Sequence, residues 1–361
     1  MVIYFVFLTI SAATYALFSL GLNLQWGVTG LINFGHVAFM AIGAYSTVLL
    51  SIQGVPWPIA VLIGGGLAAL LGLIIGLSTL RLREDYLGIV TIGVSELVRL
   101  AAKNEAWLTK GTFGVQGYPV PFDIKDFNPD YPTRLLMIGW LTVLCGLAFW
   151  RLGLWVSEER SSRILGGATA IIFVLSVYVC GALSLYTYDA RAGLMLLTLT
   201  TLAVVYVGLN RLVNSPWGRV LKAIREDEEV PKALGKNVFW YKLQAFMIGG
   251  AIAGISGAFY AWQFSVFPDN FEPLITFNAW IIVMLGGSGN NLGTIIGAVI
   301  FWSYYEITRT EFFKEIFRAI HLDDTQQGAF RIMIIGLILM LLMVLRPQGI
   351  LGKKAELTLG R

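Results

Sequence analysis

Residues 1–80 read MVIYFVFLTISAATYALFSLGLNLQWGVTGLINFGHVAFMAIGAYSTVLLSIQGVPWPIAVLIGGGLAALLGLIIGLSTL and contain no Asp, Glu, Lys or Arg. A bilayer-spanning helix needs about 20 mostly apolar residues to cross a core roughly 30 Å thick, so this stretch predicts about three crossings. Over the whole chain of 361 residues, 57% are hydrophobic and 13% are charged. Soluble domains carry roughly a quarter charged residues. The composition therefore predicts an all-α, polytopic membrane protein and excludes a soluble domain.

The gaps between charged residues predict about nine full spans in a single transmembrane domain covering residues 1–361. These spans are 2–22, 27–51, 57–80, 86–101, 135–156, 164–186, 192–213, 243–267 and 332–345. A further apolar run, 273–305, is interrupted by GGSGNN at 286–291. This interruption predicts a broken or re-entrant helix pair, which protein must shield from lipid.

Charge asymmetry predicts the orientation of the chain, because Lys and Arg concentrate in cytoplasmic segments. The loop 214–241 and the tail after Leu345 are both basic, so we expect both on the cytoplasmic side. The tail's basic residues are Arg346, Lys353, Lys354 and Arg361. If the loop and the tail are both cytoplasmic, residues 273–305 must fold back as a hairpin, because a single crossing would place the tail outside. The same count places 157–163 inside, and the loop 102–133 and the N-terminus outside.

The cytoplasmic loop reads SPWGRVLKAIREDEEVPKALGKNVFWYK over residues 215–242. Its pattern predicts a short amphipathic helix pair, with Ser215 as the N-terminal cap and Gly235 as the stop. We expect one apolar side, made of Val220, Leu221, Ile224, Val230, Ala233 and Leu234. Two interpretations stay open: a solvated linker, or a helix that docks into a groove on a cytoplasmic partner.

This loop resembles the coupling segment of the permease subunits of bacterial ATP-binding-cassette (ABC) importers. Their signature is Glu-Ala-Ala followed, after three residues, by Gly, and Glu229 and Gly235 match that spacing. Val230 and Pro231 replace the two alanines. The resemblance implies that six positions contact an ATPase: Ser215, Arg219, Ala223, Glu229, Ala233 and Gly235.

The whole chain resembles the LivM-type permeases of branched-chain amino-acid uptake systems. The stretches that carry the resemblance are GLNLQWGVTGLINFGHVAFMAIGAY (21–45), YLGIVTIGVSELVR (86–99), TKGTFGVQG (109–117), LGGSGNNLGTIIGA (285–298) and RPQGILG (346–352). In TKGTFGVQG, Lys110 and Phe113 stand where the family usually has Gly and Asn.

The resemblance implies a permease for neutral or branched-chain amino acids in the bacterial cytoplasmic (inner) membrane. Its implied partners are a homologous LivH-type permease, two cytoplasmic ATPase subunits, and a periplasmic or lipid-anchored amino-acid-binding protein. ATP and Mg would bind to the ATPase subunits, and the permease itself would hold no cofactor.

Polar side chains inside apolar runs are candidates for a translocation path, because they need partners within the membrane. The candidates are Asn33, His36, Thr91, Ser288 and Asn290. The competing interpretation is that these groups satisfy irregular backbone or neighbouring helices. Glu96 and Arg99 lie three residues apart on a predicted helix, a spacing that favours an ion pair.

Several function classes find no support in the residues. No G-x-x-x-x-G-K-[ST] phosphate loop is present, and neither a metal-ligand cluster nor a nucleophile–base pair is visible. We expect no enzymatic activity in this chain and no nucleic-acid partner. Two alternatives remain: an ion-coupled secondary amino-acid transporter, or an ABC permease for urea or short-chain amides.

Overall fold

The computed structural model describes residues 2–81, 84–123, 127–157, 164–188, 191–310, 315, 323–345 and 348–352, and these residues are mostly helical. The helices of the first half are α1 (Val2–Leu22), α2 (Val37–Ile52), α3 (Trp57–Thr79), α4 (Glu84–Asn104), α5 (Ala106–Thr109), α6 (Tyr131–Ser157) and α7 (Ile164–Thr187). Those of the second half are α8 (Ala192–Asn214), α9 (Pro216–Glu226), α10 (Glu229–Ala233), α11 (Val238–Gln263), α12 (Pro273–Gly286), α13 (Asn291–Ile307) and α14 (Asp324–Leu345).

Shorter elements connect these helices. A π-helical turn, Asn23–Val28, extends α1, and 3₁₀ turns form at Gly111–Phe113 and Pro268–Phe271. Within the described ranges the β-structure consists of one isolated antiparallel bridge between Val115 and Val266. The predicted all-α class is confirmed.

Five helices of the described part are long and apolar enough to cross a bilayer, and the bent pair α12–α13 raises the number to six. The five are Val2–Val28, Trp57–Thr79, Tyr131–Gly153, Ala192–Asn214 and Val238–Gln263. The predicted number of nine full spans is not confirmed. One predicted span corresponds to α2, which has only 16 residues, short of the ~20 that a full crossing needs.

The centre of the fold is α11, which packs against α1, α2 and α3. Glycines make the close approach possible: a Cβ added at Gly21 would lie 2.5 Å from the carbonyl oxygen of Gly249. A Cβ at Gly43 would overlap the backbone of Gly254 in the same way. Small residues at helix contacts are the usual means of tight packing in membranes, where lipid tails are as apolar as Leu.

The outer surface of α3 is apolar and exposed. Its exposed side chains are Ile59, Leu62, Ile63, Leu67, Leu70, Ile74 and Leu77. Because such a surface would be unfavourable in water, it fits a helix that faces lipid.

The predicted span 27–51 is wrong as a continuous helix. The first helix ends at Val28, residues 29–36 are irregular, and α2 begins at Val37. Gly30 has φ +85°, a left-handed conformation that glycine adopts without steric cost. A Cβ at Gly35 would overlap the backbone of Thr91 in α4. These glycines let the chain turn inside the helical domain, where a simple apolar count predicts an uninterrupted helix.

The irregular residues 29–36 form the first break, and residues 287–290, between α12 and α13, form the second. The second break was predicted correctly. Helix α12 ends at Gly286, α13 begins at Asn291, and the two are bent by 117°. Gly287 and Gly289 have φ values of +108° and +80°. The chain therefore folds back at this point, as the hairpin interpretation requires.

The predicted ion pair between Glu96 and Arg99 is confirmed. Arg99 Nη2 lies 2.5 Å from Glu96 Oε1, and Arg99 Nη1 lies 2.7 Å from Asp269 Oδ1. Lys103 also pairs with Asp269, at 3.2 Å. The pairs join the end of α4 to the turn that follows α11. Tyr118 donates to the carbonyl of Phe264 at 3.0 Å, so the segment after α4 packs over the same end of the domain.

Some predictions concern residues outside the described ranges. They include the placement of residues 158–163 and of the basic tail residues Arg346, Lys353, Lys354 and Arg361.

Candidate functional site

The end of the first helix meets the second break at one buried side chain, Asn23 of the π-helical turn. Its Nδ2 donates to Asn291 Oδ1 at 3.0 Å, and its Oδ1 accepts from the amide of Gly289 at 2.8 Å. A Cβ at Gly27 would lie 2.5 Å from the Gly289 nitrogen, so the end of the first helix and the second break are in direct backbone contact. Asn23 therefore joins the end of the first helix to the turn between α12 and α13.

Side chains of the first break partner one another and the backbone. Gln25 Nε2 donates to the carbonyl of Phe246 in α11 at 2.9 Å, while Gln25 Oε1 accepts from Asn33 Nδ2 at 2.8 Å. Asn33 Oδ1 accepts from the amide of Gly35 at 3.0 Å. Irregular backbone buried among helices requires such partners, because buried amide and carbonyl groups cannot reach water.

His36 and Thr91 hold the remainder of the irregular segment. His36 Nε2 lies 3.2 Å from the carbonyl oxygen of Phe18, which requires this nitrogen to carry the proton. Thr91 accepts from the amide of Phe34 at 3.1 Å and donates to the carbonyl of Gly88 at 2.8 Å. Within the described residues, no group of three or more His, Cys, Asp or Glu side chains could hold a metal ion.

An aromatic cluster lies beside the first break. The ring centroids of Trp26 and Trp280 are 4.4 Å apart, and Phe34 lies 5.1 Å from Trp280 and 5.7 Å from Phe277. Trp280 Nε1 donates to the carbonyl of Asn33 at 3.2 Å. The cluster packs α12 against the irregular chain and leaves Phe277 exposed.

Residues 348–352 form hydrogen bonds with the residues on both sides of the second break. The amides of Ile350 and Leu351 donate to the carbonyls of Leu285 and Gly286, each at 3.0 Å. Asn290 caps α13 by accepting from the amide of Gly293 at 3.1 Å, and its Nδ2 donates to the carbonyl of Leu351 at 2.9 Å. Residues from four of the five stretches that carry the sequence resemblance therefore contact the two breaks, whereas 109–117 packs against the chain after α11.

The predicted path residues lie on the two breaks. Asn33, His36 and Thr91 are buried at the first break, and Ser288 and Asn290 are half-buried at the second. The hydrogen bonds of Asn33, His36, Thr91 and Asn290 fit the interpretation that these groups satisfy irregular backbone. Their part in a translocation path stays a prediction.

The predicted helix pair of the cytoplasmic loop is confirmed as α9 and α10, but its single apolar side is wrong. Leu221 and Ile224 of α9 are buried against the membrane domain. Val230 and Leu234, on and after α10, are 53% and 75% exposed. The apolar residues divide because the extended residue Asp227 separates the two helices, so they do not share one face.

Polar contacts also fix this loop to α11. Trp217 Nε1 in α9 donates to Gln244 Oε1 at 2.8 Å, and Glu228 pairs with Lys242. Both partners lie on the first turns of α11. Helix α9 is therefore attached to the membrane domain, whereas α10 exposes its apolar side chains Val230 and Leu234.

Of the two predicted ends of the helix pair, the stop at Gly235 is confirmed and the cap at Ser215 is wrong. Ser215 occupies the N-cap position, but its hydroxyl donates back to the carbonyl of Leu212 at 2.7 Å, so it does not cap α9. Gly235 has φ +74° and ends α10, as predicted. Its amide donates to Lys232, and the amide of Lys236 donates to Pro231, which is the Schellman pattern of a helix C-terminus.

The six positions assigned to ATPase contact lie along this loop. Arg219, Glu229, Ala233 and Gly235 are exposed, whereas Ser215 and Ala223 are half-buried. Glu229 pairs with Lys232 at 2.8 Å, and this hydrogen bond raises the pKa of Lys232. Contact of these positions with an ATPase stays a prediction.

Sequence reasoning missed Arg225. Its Nη1 donates to the carbonyl of Gly27 at 2.5 Å, which joins α9 to the first break. An arginine on the charged side of an amphipathic helix is normally solvated, so the pattern carried no signal for this contact. The roles of Asn23 and Gln25 were also missed, although both are polar residues within the charge-free opening stretch.

The fold and the site define the class of this protein. Several helices are long and apolar enough to cross a membrane, one helix pair is broken, and Asn23 at the end of the first helix bonds to that break. Discontinuous helices of this kind are typical of transport proteins. Residues 4–344 match the family described as branched-chain amino acid transport system / permease component, and the chain belongs to that family.

Named proteins that are similar to this chain are also described as branched-chain amino acid transport permeases. The chain is 31% identical to the high-affinity branched-chain amino acid transport system permease protein LivM of Escherichia coli, over 93% of this chain and 67% of the relative. It is 24% identical to a probable branched-chain amino acid transport permease protein LivM of Methanocaldococcus jannaschii, over 95% and 92% of the two chains. A LivH permease of Salmonella typhimurium is 21% identical over 94% and 92%. No solved structure matches this chain significantly.

The contacts of Asn23 give a direct test of the joined breaks. We expect Asn23→Leu, which has a similar shape, to destabilise the domain by about 1–3 kcal/mol, because the backbone amide of Gly289 and the side-chain oxygen of Asn291 lose a buried partner. The measurements are the melting temperature in detergent and hydrogen exchange at the Gly289 amide. Asn214→Leu, at an exposed asparagine, is the control. Equal melting temperatures and unchanged exchange in the two variants would contradict the bridging role of Asn23.

Proposed function

We propose that this chain is a permease subunit of an ABC importer for branched-chain and other neutral amino acids in the bacterial cytoplasmic membrane. Membership of the permease family supports the transport role. The observation that carries the ABC assignment is the helix pair α9–α10, which is anchored on one side and exposes apolar side chains on the other.

The exposed side chains of α10 favour a docked partner over a solvated linker. Val230 and Leu234 project together from a short, highly charged segment. Large apolar groups held in water gain no burial energy, whereas docking in an apolar groove would gain roughly 1.5–3 kcal/mol for each fully buried side chain. The flanking charges Glu229 and Lys232 fit the polar rim of such an interface.

The proposed assembly contains a second permease of the LivH type, two cytoplasmic ATPase subunits and an amino-acid-binding protein outside the membrane. The presence of both LivM and LivH permeases among the relatives supports a pair of homologous permeases. ATP and Mg would bind to the ATPase subunits. This chain would contribute the docking helix and half of the membrane path.

The contacts of the loop suggest how ATP binding would act on the membrane domain. Closure of the ATPase subunits would push on α10, and the Trp217–Gln244 and Glu228–Lys242 contacts would carry the movement into α11. Helix α11 packs closely against α1 and α2, so a displacement would shift these helices together. The two permeases would then alternate access at their shared surface.

The energy source separates this proposal from an ion-coupled transporter. We expect the complete complex in proteoliposomes to take up L-leucine only when ATP and the binding protein are both supplied. An ionophore that collapses ion gradients should leave this uptake unchanged. Uptake that continues without the ATPase subunits and stops with the ionophore would contradict the proposal.

Leu234 gives the sharpest test of the docking surface. Because its side chain is 75% exposed, Leu234→Glu should leave the membrane domain folded and place a charge at the proposed interface. We expect co-purification of the ATPase subunits to fall about tenfold, since burying an unpaired charge costs more than 1.4 kcal/mol. Leu234→Met, which keeps the apolar character, is the matched control and should bind normally. Equal ATPase recovery with both variants would rule out docking at α10.

A further inference from the structure

Arg225 connects the cytoplasmic helix α9 to both membrane breaks. Its Nη1 donates to the carbonyl of Gly27 at 2.5 Å. A Cβ added at Gly289 would lie 3.3 Å from the same Nη1, and one at Gly30 would lie 3.4 Å from Arg225 Cγ. The side chain therefore passes Gly30 and ends between the two broken segments.

We propose that Arg225 is a positioning residue that transmits movement of α9 to the two breaks, and that it does so without taking part in ATPase binding. This inference rests on the proposed importer function. It assigns to one side chain the step between α9 and the two breaks.

The electrostatics of the contact suit this role. Gly27 lies in the last turn of the extended first helix, where carbonyl groups have no partner within the helix and the helix dipole is negative. A guanidinium group satisfies such a carbonyl with a charge-assisted hydrogen bond, which is stronger than a neutral one. The bond can therefore carry a displacement of α9 to the helix end.

The other contacts of this loop reach a different element. Trp217 and Glu228 bond to Gln244 and Lys242 of α11. Among the hydrogen bonds of α9 and α10 in the described residues, that of Arg225 is the one that reaches a broken segment. Loss of Arg225 should consequently leave the loop attached to the domain while separating it from the breaks.

The planar fork of arginine explains why lysine is an incomplete replacement. Arginine presents five donors in a rigid plane, whereas lysine presents one ammonium group on a flexible stem. Arg225→Lys keeps the charge, so it should restore part of the lost function. Arg225→Met keeps much of the length but removes both the charge and the donors.

The test compares Arg225→Met with Lys222→Met, which removes the same charge at another exposed position of the same helix. Each variant is assembled with the second permease and the ATPase subunits, and three quantities are measured: ATPase co-purification, ATP hydrolysis, and uptake of L-leucine. We expect Arg225→Met to retain the first two and to lose uptake by roughly tenfold, a typical effect of changes along a coupling network. Lys222→Met should resemble the unmodified complex, and Arg225→Lys should be intermediate.

Two results would overturn the inference. Normal uptake per ATP hydrolysed in Arg225→Met would mean that the contact transmits nothing, and reduced ATPase co-purification would make Arg225 a docking residue. If Arg225→Met does not accumulate, the same comparison is made with Arg225→Lys, where an unchanged uptake-to-hydrolysis ratio is the contradicting result. Failure of the proposed function is separately visible, because the unmodified complex would then lack ATP-dependent uptake.

Discussion

The structure depends on one constraint: backbone groups released by a broken helix inside the bilayer must find partners within the protein. The pair α12–α13 is broken, and the irregular residues 29–36 follow the first helix; Asn23 bonds to the second break from the end of that helix. Gln25 and Asn33 continue the network around the first break, and residues 348–352 complete it at the second. Hydrogen bonds of Asn23 consequently join the end of the first helix to the second break.

This connection suggests how a cytoplasmic event could reach the two breaks. A helix packed only by apolar contacts could shift without affecting its neighbours' hydrogen bonds. Here the end of the first helix is bonded both to the second break and to Arg225 of α9. A displacement at this point changes polar contacts in both broken segments, and interfaces of this kind favour discrete alternative arrangements over gradual deformation.

The sequence predicted the second break but not the first, and the difference has a physical cause. GGSGNN places Gly and Asn together within an apolar run, a combination that disfavours continuous helix. The first break contains Gly30, Asn33 and Gly35, which are spaced among apolar residues and carry no charge. Hydropathy measures the cost of burying side chains, and it contains no information on whether the backbone is helical.

The contacts between distant segments were also beyond sequence reasoning. The loop's helix pair and the stop at Gly235 follow from local conformational preferences and were predicted correctly. The direction in which each helix faces depends on the tertiary fold. Leu221 and Val230 have similar character in the sequence, but one packs on the membrane domain and the other projects outward. Arg225 was missed for the same reason, because its partner is a backbone carbonyl 198 residues earlier in the chain.

The most direct test of the paired breaks is to determine which side of the membrane each segment faces. In a variant with Cys145 and Cys180 replaced by serine, single cysteines at Lys222, Gln348 and Asp269 would be labelled with a membrane-impermeant maleimide. Because α9 and residues 348–352 meet at the second break, we expect cysteines at Lys222 and Gln348 to react from the cytoplasmic side and one at Asp269 from the opposite side. Labelling of Gln348→Cys from the same side as Asp269→Cys would contradict the hairpin and the joined breaks.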